Sequence, residues 1–151
     1  MLSAPDGRLF AYPDTNHWVH VWDLAGERER TVLPEPAGEV EDLAFSPNGK
    51  LLAAVGMESL VRLWDIESRR LVFDPPLKGH KSTIHQVQFS PDGKTLLTAS
   101  AGSERSIRFW NVASGQEILI LKDLTEIRST LFGDQYPQVV PLLSPHDDTL
   151  A

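Results

Sequence analysis

Residues 90–111 read SPDGKTLLTASAGSERSIRFWN, a stretch that contains a turn, two strand-length segments and a tryptophan next to its end. Related stretches occur at residues 46–65, SPNGKLLAAVGMESLVRLWD, and at residues 3–23, SAPDGRLFAYPDTNHWVHVWD. Their tryptophans, Trp22, Trp64 and Trp110, are separated by 42 and 46 residues. Self-similarity at a period between 20 and 50 residues indicates a repeat architecture.

Each repeat predicts four short strands. The Pro-Asp-Gly and Pro-Asn-Gly segments favour tight turns, because proline presets φ and glycine tolerates a positive φ. The segment before the turn alternates apolar and polar residues, and the segments after it are apolar and then rich in β-branched and aromatic residues. A last segment with mixed charges follows, as expected of an outer strand. In the three repeats, these charged segments are residues 28–33, 69–73 and 116–122.

Four antiparallel strands per repeat predict an all-β fold, in which β-propeller blades form an incomplete ring. The domain boundaries follow from the phase of the repeat. We expect a partial blade with strands two to four at residues 1–34, two blades at 35–77 and 78–122, and an inserted loop plus the inner strand of a following blade at 123–151. In the insertion, the spacing of Leu124, Ile127 and Leu131 fits a short helix. An insertion of this kind predicts a binding element, with a mobile loop as the alternative. Residues 139–143 are the predicted inner strand.

Composition excludes several functions. The 151 residues are 41% hydrophobic and 23% charged, as in ordinary globular domains. A net charge of -7 argues against binding to nucleic-acid phosphates.

The sequence has neither a membrane-length apolar run nor a secretory start, so we expect a cytoplasmic protein without membrane contact. Without cysteine it has no thiolate metal site, and neither histidine pair, His17 with His20 or His80 with His85, has ligand-like spacing. We therefore expect no metal and no cofactor.

The chain resembles the WD-repeat family over residues 3–122. The third repeat carries the most complete match, with Gly79-His80, the turn and Trp110-Asn111, while the other two repeats contain Trp64-Asp65 and Trp22-Asp23. Since propellers have four to eight blades, the resemblance implies that these repeats are a segment of a larger propeller. The alternative is that chains associate to close a ring.

The resemblance also implies a set of structural residues. In the family, a buried network of His, Ser or Thr, Asp and Trp connects the strands of each blade. In the third repeat the matching residues are His80, Thr98 or Ser100, Glu104 and Trp110. The Asp position is occupied by Asn16, Glu58 and Glu104 in the three repeats, and Ala54 replaces the hydroxyl in the second. We therefore expect at most one, imperfect, network. Structural roles are also expected for Trp22, Asp23, Trp64 and Asp65.

The same resemblance implies a rigid disc whose loops bind other proteins. The loops concerned connect strands two and three or lead into an inner strand; here they are residues 13–18, 34–39, 56–59, 81–83 and 101–106. Trp18 is the leading candidate for partner binding, because the other repeats have Leu60 and Ser106 at its position. The alternative for Trp18 is packing under a neighbouring blade. Met57, Arg105, Glu39 and Lys81 complete the candidate set.

The predicted function is a non-catalytic scaffold that mediates protein–protein interaction. The alternative is an accessory propeller domain of a larger multidomain enzyme or signalling protein. The sequence contains no glycine-rich phosphate loop, no Gly-x-Ser-x-Gly elbow and no catalytic constellation, so we expect no enzymatic activity. Protein partners are expected, including a second copy of the chain that would close the ring.

Overall fold

The protein, seen here in a computed structural model, is described at residues 2–4, 7–33, 38–101 and 103–122. These residues form three separate sheets in which every strand pairing is antiparallel. The prediction of an all-β fold built from antiparallel blades is thereby confirmed. The predicted helix near Leu124, the predicted strand at residues 139–143 and the rest of 123–151 lie outside the described residues.

Blade 1 has the strand order β1-β2-β3-β4. Its strands are β1 (Leu2–Ser3), β2 (Leu9–Pro13), β3 (Val19–Asp23) and β4 (Arg28–Val32). The sequence predicted only strands two to four at residues 1–34, so β1 is an addition to that prediction. Two residues suffice to form it, because they pair with the free edge of β2 in the register Leu2 to Ala11.

Blades 2 and 3 repeat this arrangement. Blade 2 contains β5 (Val40–Phe45), β6 (Leu51–Gly56), β7 (Leu60–Asp65), β8 (Arg70–Leu71) and β9 (Leu77–Lys78). Blade 3 contains β10 (Ile84–Phe89), β11 (Thr95–Ser100), β12 (Ser106–Asn111) and β13 (Glu117–Lys122). In all three blades the tryptophan lies one residue before the end of the third strand, as predicted.

The outer strand of blade 2 is divided, whereas the sequence predicted one strand at residues 69–73. Both β8 and β9 pair with β7, β8 near Asp65 and β9 near Leu60. Between them lie Pro75 and Pro76, which have no amide hydrogen to donate to β7. Pairing with β7 ends at Val72, whose amide donates to the carbonyl of Leu63 at 2.7 Å, and it resumes beyond the prolines at Leu77.

The Ser-Pro-x-Gly turns have the same internal geometry in blades 2 and 3. Ser90 Oγ donates to Asp92 Oδ1 at 2.6 Å and accepts the amide hydrogen of Thr95 at 2.9 Å. Ser46 makes the corresponding contacts with Asn48 and Leu51. The turn glycine has a φ near +70°, a conformation that favours glycine over any residue with a Cβ. The recurring tetrapeptide is therefore a hydrogen-bonded hairpin turn.

Blades pack face to face through the side that carries the tryptophan. Trp64 of blade 2, fully buried, lies in one cluster with apolar side chains of blade 1, including Leu9, Val19 and Val21. Trp110 of blade 3 lies in a second cluster with side chains of blade 2, including Val55 and Leu63. We call this side of each blade its tryptophan face. In blade 1 the tryptophan face carries two cross-strand pairs between β2 and β3. Phe10 pairs with Trp22, and Tyr12 pairs with His20.

Substitution of Trp110 by alanine should destabilise the protein far more than substitution of Trp18. Trp110 is 3% exposed inside the cluster between blades, whereas Trp18 is 37% exposed. Loss of a buried tryptophan costs about 3–5 kcal/mol. Chemical denaturation of both variants measures the difference. A larger loss of unfolding free energy for Trp18→Ala would show that Trp18 packs as a structural residue and would remove it from the candidate binding surface.

Candidate functional site

The connections between strands two and three lie at one end of the three blades, together with the segments that lead into β5 and β10. We call this set the loop end; it comprises residues 14–18, 38–39, 57–59, 79–83 and the described part of 101–105. Hydrogen bonds join its parts within blades 2 and 3. Met57 N donates to the carbonyl of Glu39 at 3.1 Å, and Lys81 N donates to Glu104 Oε2 at 2.6 Å.

Each strand two-to-three connection contains a residue with positive φ. His17, Ser59 and Arg105 each stand five positions before the tryptophan of their repeat and have φ values of 67°, 58° and 41°. Residues other than glycine rarely adopt this conformation, because the Cβ crowds the backbone. The same uncommon conformation therefore recurs at the same repeat position in all three loops, although the loop of blade 2 is shorter than the other two.

The structure places all five predicted partner-binding residues at the loop end, with exposed side chains. Met57 is 54% exposed and Trp18 is 37% exposed, the two largest apolar side chains of this surface. Glu39, Lys81 and Arg105 are exposed as well. The hydrogen bonds described above bring Met57 beside Glu39 on blade 2 and Lys81 next to the Glu104–Arg105 segment on blade 3. Trp18 stands on blade 1.

Beneath the loop end of blade 3 lies a buried hydrogen-bonded network. Trp110 Nε1 donates to Thr98 Oγ1 at 2.9 Å, and Thr98 Oγ1 lies 2.7 Å from His80 Nε2. His80 Nδ1 lies 3.3 Å from both Glu104 Oε2 and Ser106 Oγ. All of these groups are satisfied if the Thr98 hydroxyl donates to Nε2 of a neutral His80 and its Nδ1–H donates to Glu104. Of the two hydroxyls considered from the sequence, Thr98 therefore contacts His80 directly, and Ser100 contacts Glu104 at 3.4 Å.

The network continues through an ion pair that the sequence analysis missed. Arg108 Nη2 donates to Glu104 Oε1 at 2.7 Å, and Arg108 Nη1 makes a close contact with Glu117. Burial raises the pKa of Glu104, but the hydrogen bonds from Arg108 and Lys81 N outweigh it and lower the pKa to about 2. Burial lowers the pKa of His80, which opposes protonation despite the neighbouring Glu104. Glu104 is therefore charged and His80 is neutral at physiological pH.

A cation occupies the position of Arg108 in every blade. Arg108 pairs in register with Thr98, Arg62 with Ala54, and His20 with Tyr12. Arg62 contacts Glu58 at 2.7 Å. A signal was available in the sequence, because these three residues each stand two positions before a tryptophan of the repeat.

The aspartates that follow the tryptophans stabilise turns at the opposite end of the blades. Asp23 Oδ1 accepts the amide hydrogens of Ala25 and Gly26, and Asp65 Oδ1 accepts that of Ser68 at 2.7 Å. These backbone hydrogen bonds lower the pKa of both carboxyls. The aspartates therefore cap the turn between strands three and four and do not belong to the loop end.

A cleft of about 380 Å³ lies between the inner strands. It is lined by Ser3, by Asp42 to Phe45 and Pro47 of blade 2, and by Gln86 to Phe89 of blade 3. Asp42 joins two blades, because its Oδ2 accepts the amide hydrogen of Val87 at 2.9 Å. Burial raises the pKa of Asp42. The carboxyl is occupied by backbone amides, which gives it a structural role between blades.

Metal binding and membrane insertion find no support in the residues that the structure describes. No group of three or more histidine and carboxylate side chains in those ranges has the geometry to hold a metal ion. The same residues include no helix with the length and apolar character needed to cross a bilayer.

Comparison with known proteins relates this architecture to WD repeats. The family model "WD domain, G-beta repeat" matches residues 27–65 and 72–111, slightly more than half of the chain. An uncharacterized WD repeat-containing protein of Synechocystis sp. is 31% identical over 137 residues, covering 88% of this chain and 38% of that protein. The Protein LST8 homolog of Drosophila melanogaster is 32% identical over 101 residues, covering 64% of this chain and 32% of that protein. The chain thus spans less than two fifths of the length of these relatives.

Among solved structures, the crystal structure of the RRP9 WD40 repeats superimposes with a TM-score of 0.72 at 22% identity. The match covers 82% of this chain and 38% of that one. At this identity the likeness concerns the fold.

Thr98→Val should destabilise the protein by about 2–4 kcal/mol, because two buried polar groups, the indole N–H of Trp110 and Nε2 of His80, lose their partner. The matched control is Thr31→Val in blade 1. The hydroxyl of Thr31 contacts only the neighbouring carbonyl of Val32, at 3.3 Å, and its loss should cost less than about 1 kcal/mol. Urea unfolding of the two variants gives the comparison. Equal losses would mean that the network does not stabilise blade 3.

Proposed function

The chain belongs to the WD domain, G-beta repeat family, and from this premise we propose that it is a non-catalytic scaffold that binds other proteins through the loop end of its blades. Proteins built from WD repeats generally mediate protein interactions. The observation that carries the proposal is the exposure of Trp18, Met57 and Arg105 on three equivalent loops.

The ordered backbone of its loops supports a role of the loop end in partner binding. The loops are short, have a residue with positive φ at the same repeat position and are attached to strands that are paired on both sides. A binding group whose backbone is already ordered loses less conformational entropy when a partner binds. Tryptophan and arginine contribute most strongly to protein interfaces, and methionine is enriched there. Exposed side chains of these types on an ordered surface therefore fit partner recognition.

Catalysis is a weaker explanation of the polar residues. The His80 side chain has no exposed surface, and both of its ring nitrogens contact protein groups. Glu104 and Arg108 neutralise each other in the same buried network. These groups are used to hold blade 3 together and are not accessible to a substrate.

A second candidate is an accessory propeller in a larger enzyme or signalling protein. The lengths of its relatives favour this possibility, since the matched segment is 12% of the Periodic tryptophan protein 2 homolog of Schizosaccharomyces pombe. The loop end would then bind a substrate protein or another domain. The reading frame on both sides of this segment distinguishes the two candidates. A cytoplasmic location belongs to the proposal, and imaging of a tagged full-length protein tests it.

The double variant Met57→Ala/Arg105→Ala should lower partner capture at least tenfold, as expected when two interface side chains worth about 1 kcal/mol or more each are removed. Leu24→Ala/Arg69→Ala is a matched control at the opposite end of the blades. Leu24 is 51% exposed, and Arg69 has a positive φ like Arg105. Quantitative affinity capture from cells that express each variant at equal level is the measurement. Equal loss of capture in both variants would refute a loop-end binding surface.

We also propose that the chain associates with itself. The tryptophan face of blade 1 carries Phe10, Tyr12 and Trp22, and the opposite face of blade 3 carries Phe109 and Leu121. Phe10, Tyr12 and Trp22 belong to none of the described clusters between blades, and the described cluster that contains Phe109 and Leu121 has members from blade 3 alone. Apolar faces of this kind pack against neighbouring blades elsewhere in the molecule, so a second copy could supply the missing contact.

The isolated chain should therefore have a mass above that of a monomer in solution. Phe109→Lys should reduce the mass to that of a monomer, because it puts a charge into the predicted contact, while Leu24→Ala should have no effect. Multi-angle light scattering measures all three proteins. A deletion of residues 139–151, which removes the predicted inner strand of a following blade, is a second test. A well-folded monomer that is indifferent to this deletion would contradict self-association.

A further inference from the structure

Blade 1 has an ion-pair cluster on its tryptophan face in which the cation is a histidine. His20 Nδ1 makes a close contact with Glu29 Oε1 of β4, and His20 Nε2 lies 3.2 Å from Asp14 Oδ2 in the loop between β2 and β3. The ring of Tyr12 stacks on the imidazole, with centroids 5.1 Å apart and planes 10° from parallel. Asp14, Glu29 and Tyr12 are the titratable groups that face His20 from the loop and the two adjacent strands.

The equivalent clusters of the other blades contain arginine. Arg62 binds Glu58, and Arg108 binds both Glu104 and Glu117. An arginine is charged at every pH that the folded protein meets, and its guanidinium donates several hydrogen bonds at once. A histidine donates from both nitrogens only when protonated. Blade 1 therefore replaces a permanent cation with one that titrates near neutral pH.

The carboxylate on the loop side of His20 also organises the loop that carries Trp18. Asp14 Oδ1 accepts the amide hydrogens of Asn16 at 2.8 Å and of Trp18 at 2.9 Å. Asp14 N donates to the carbonyl of Trp18 at 2.8 Å. The other oxygen of the same carboxylate faces His20. The position of Trp18 is thus connected to the protonation state of His20 through one side chain.

We propose that His20 is a protonation-dependent latch on the Trp18 loop, an inference that rests on the proposed role of Trp18 in partner binding. When the imidazole is protonated, it bridges Glu29 on β4 to Asp14 in the loop. When it is neutral, a single N–H remains for two carboxylates that can only accept. Glu29 makes the closer contact, so the bond to Asp14 is lost and the loop is released from β3.

The electrostatics give the latch its direction. The hydrogen bond to Glu29 raises the pKa of His20 above its usual 6.5, burial opposes this, and Asp14 adds to the increase. Burial raises the pKa of Asp14, but the hydrogen bonds from Trp18, His20 and Asn16 bring it below 3.8, so Asp14 is ionised near neutral pH. Because the folded pKa of His20 is raised, the latch is fully closed below about pH 6.5. It opens as the pH rises through the folded pKa.

Hydrogen exchange of the Asn16 and Trp18 amides tests the latch without any partner. Their protection factors, corrected for the intrinsic pH dependence of exchange, should fall roughly tenfold as the pH rises through the titration of His20. His20→Arg should keep both amides protected at every pH, as an arginine does in the other blades. His20→Gln should leave the amides of Asn16 and Trp18 weakly protected at every pH. His85→Gln on blade 2, where His85 is an exposed partner of Glu41 at 3.6 Å, is the control and should behave as the wild type.

A wild-type protein whose two amides show the same pH profile as His20→Arg would overturn the latch. So would a His20 titration midpoint at or below 6.5 by NMR. Capture of partners by the wild type and by His20→Arg at low and high pH extends the test to binding. The exchange pattern and the binding role of Trp18 can fail separately. If hydrogen exchange follows the expected pattern but Trp18→Ala binds partners as well as the wild type does, the latch is supported and the role of Trp18 in partner binding is refuted.

Discussion

The tryptophan faces of blades 2 and 3 are each covered by the preceding blade, and the position of every other feature depends on this contact. A four-stranded sheet has two faces, and one alone cannot bury side chains as large as Trp64 and Trp110. Packed face to face, the blades remove these side chains from water and bring the ends of their strands into line. The loop end exists because the blades are stacked in register. A partner would therefore contact several blades through one surface.

Polar groups complete this packing at the rim of each tryptophan face. In blade 3, a tryptophan, a threonine, a histidine and a glutamate satisfy one another in the buried interior, and Arg108 balances the charge of the glutamate. A buried network is stabilising only when all its members have partners. The three repeats differ in how many of these buried polar groups have a hydrogen-bond partner. Blade 2 has Ala54 in place of the hydroxyl, and in blade 1 the indole Nε1 of Trp22 has no hydrogen-bond partner among the described residues.

This divergence between repeats allows one scaffold to have local functions. The shared elements, turns and tryptophans, hold the blades, whereas the residue two positions before the tryptophan differs, being His20 in blade 1 and arginine in blades 2 and 3. An arginine there gives a loop that is held at all pH values. His20 gives a loop whose attachment depends on protonation, and that loop carries the exposed indole of Trp18. Under the proposed function, the same stacked architecture combines a fixed part of the binding surface with a pH-dependent part.

The sequence by itself determined the features that depend on local order along the chain. The Ser-Pro-x-Gly turns, the alternation within strands and the period of the tryptophans were readable because neighbouring residues produce them. The prediction of one continuous outer strand in blade 2 was wrong, because the effect of Pro75 and Pro76 depends on which strand edge they face. Only the tertiary structure showed that His20 lies between Asp14 and Glu29. These residues come from a loop and two strands, and their meeting depends on strand register, a non-local property that no single segment of sequence contains.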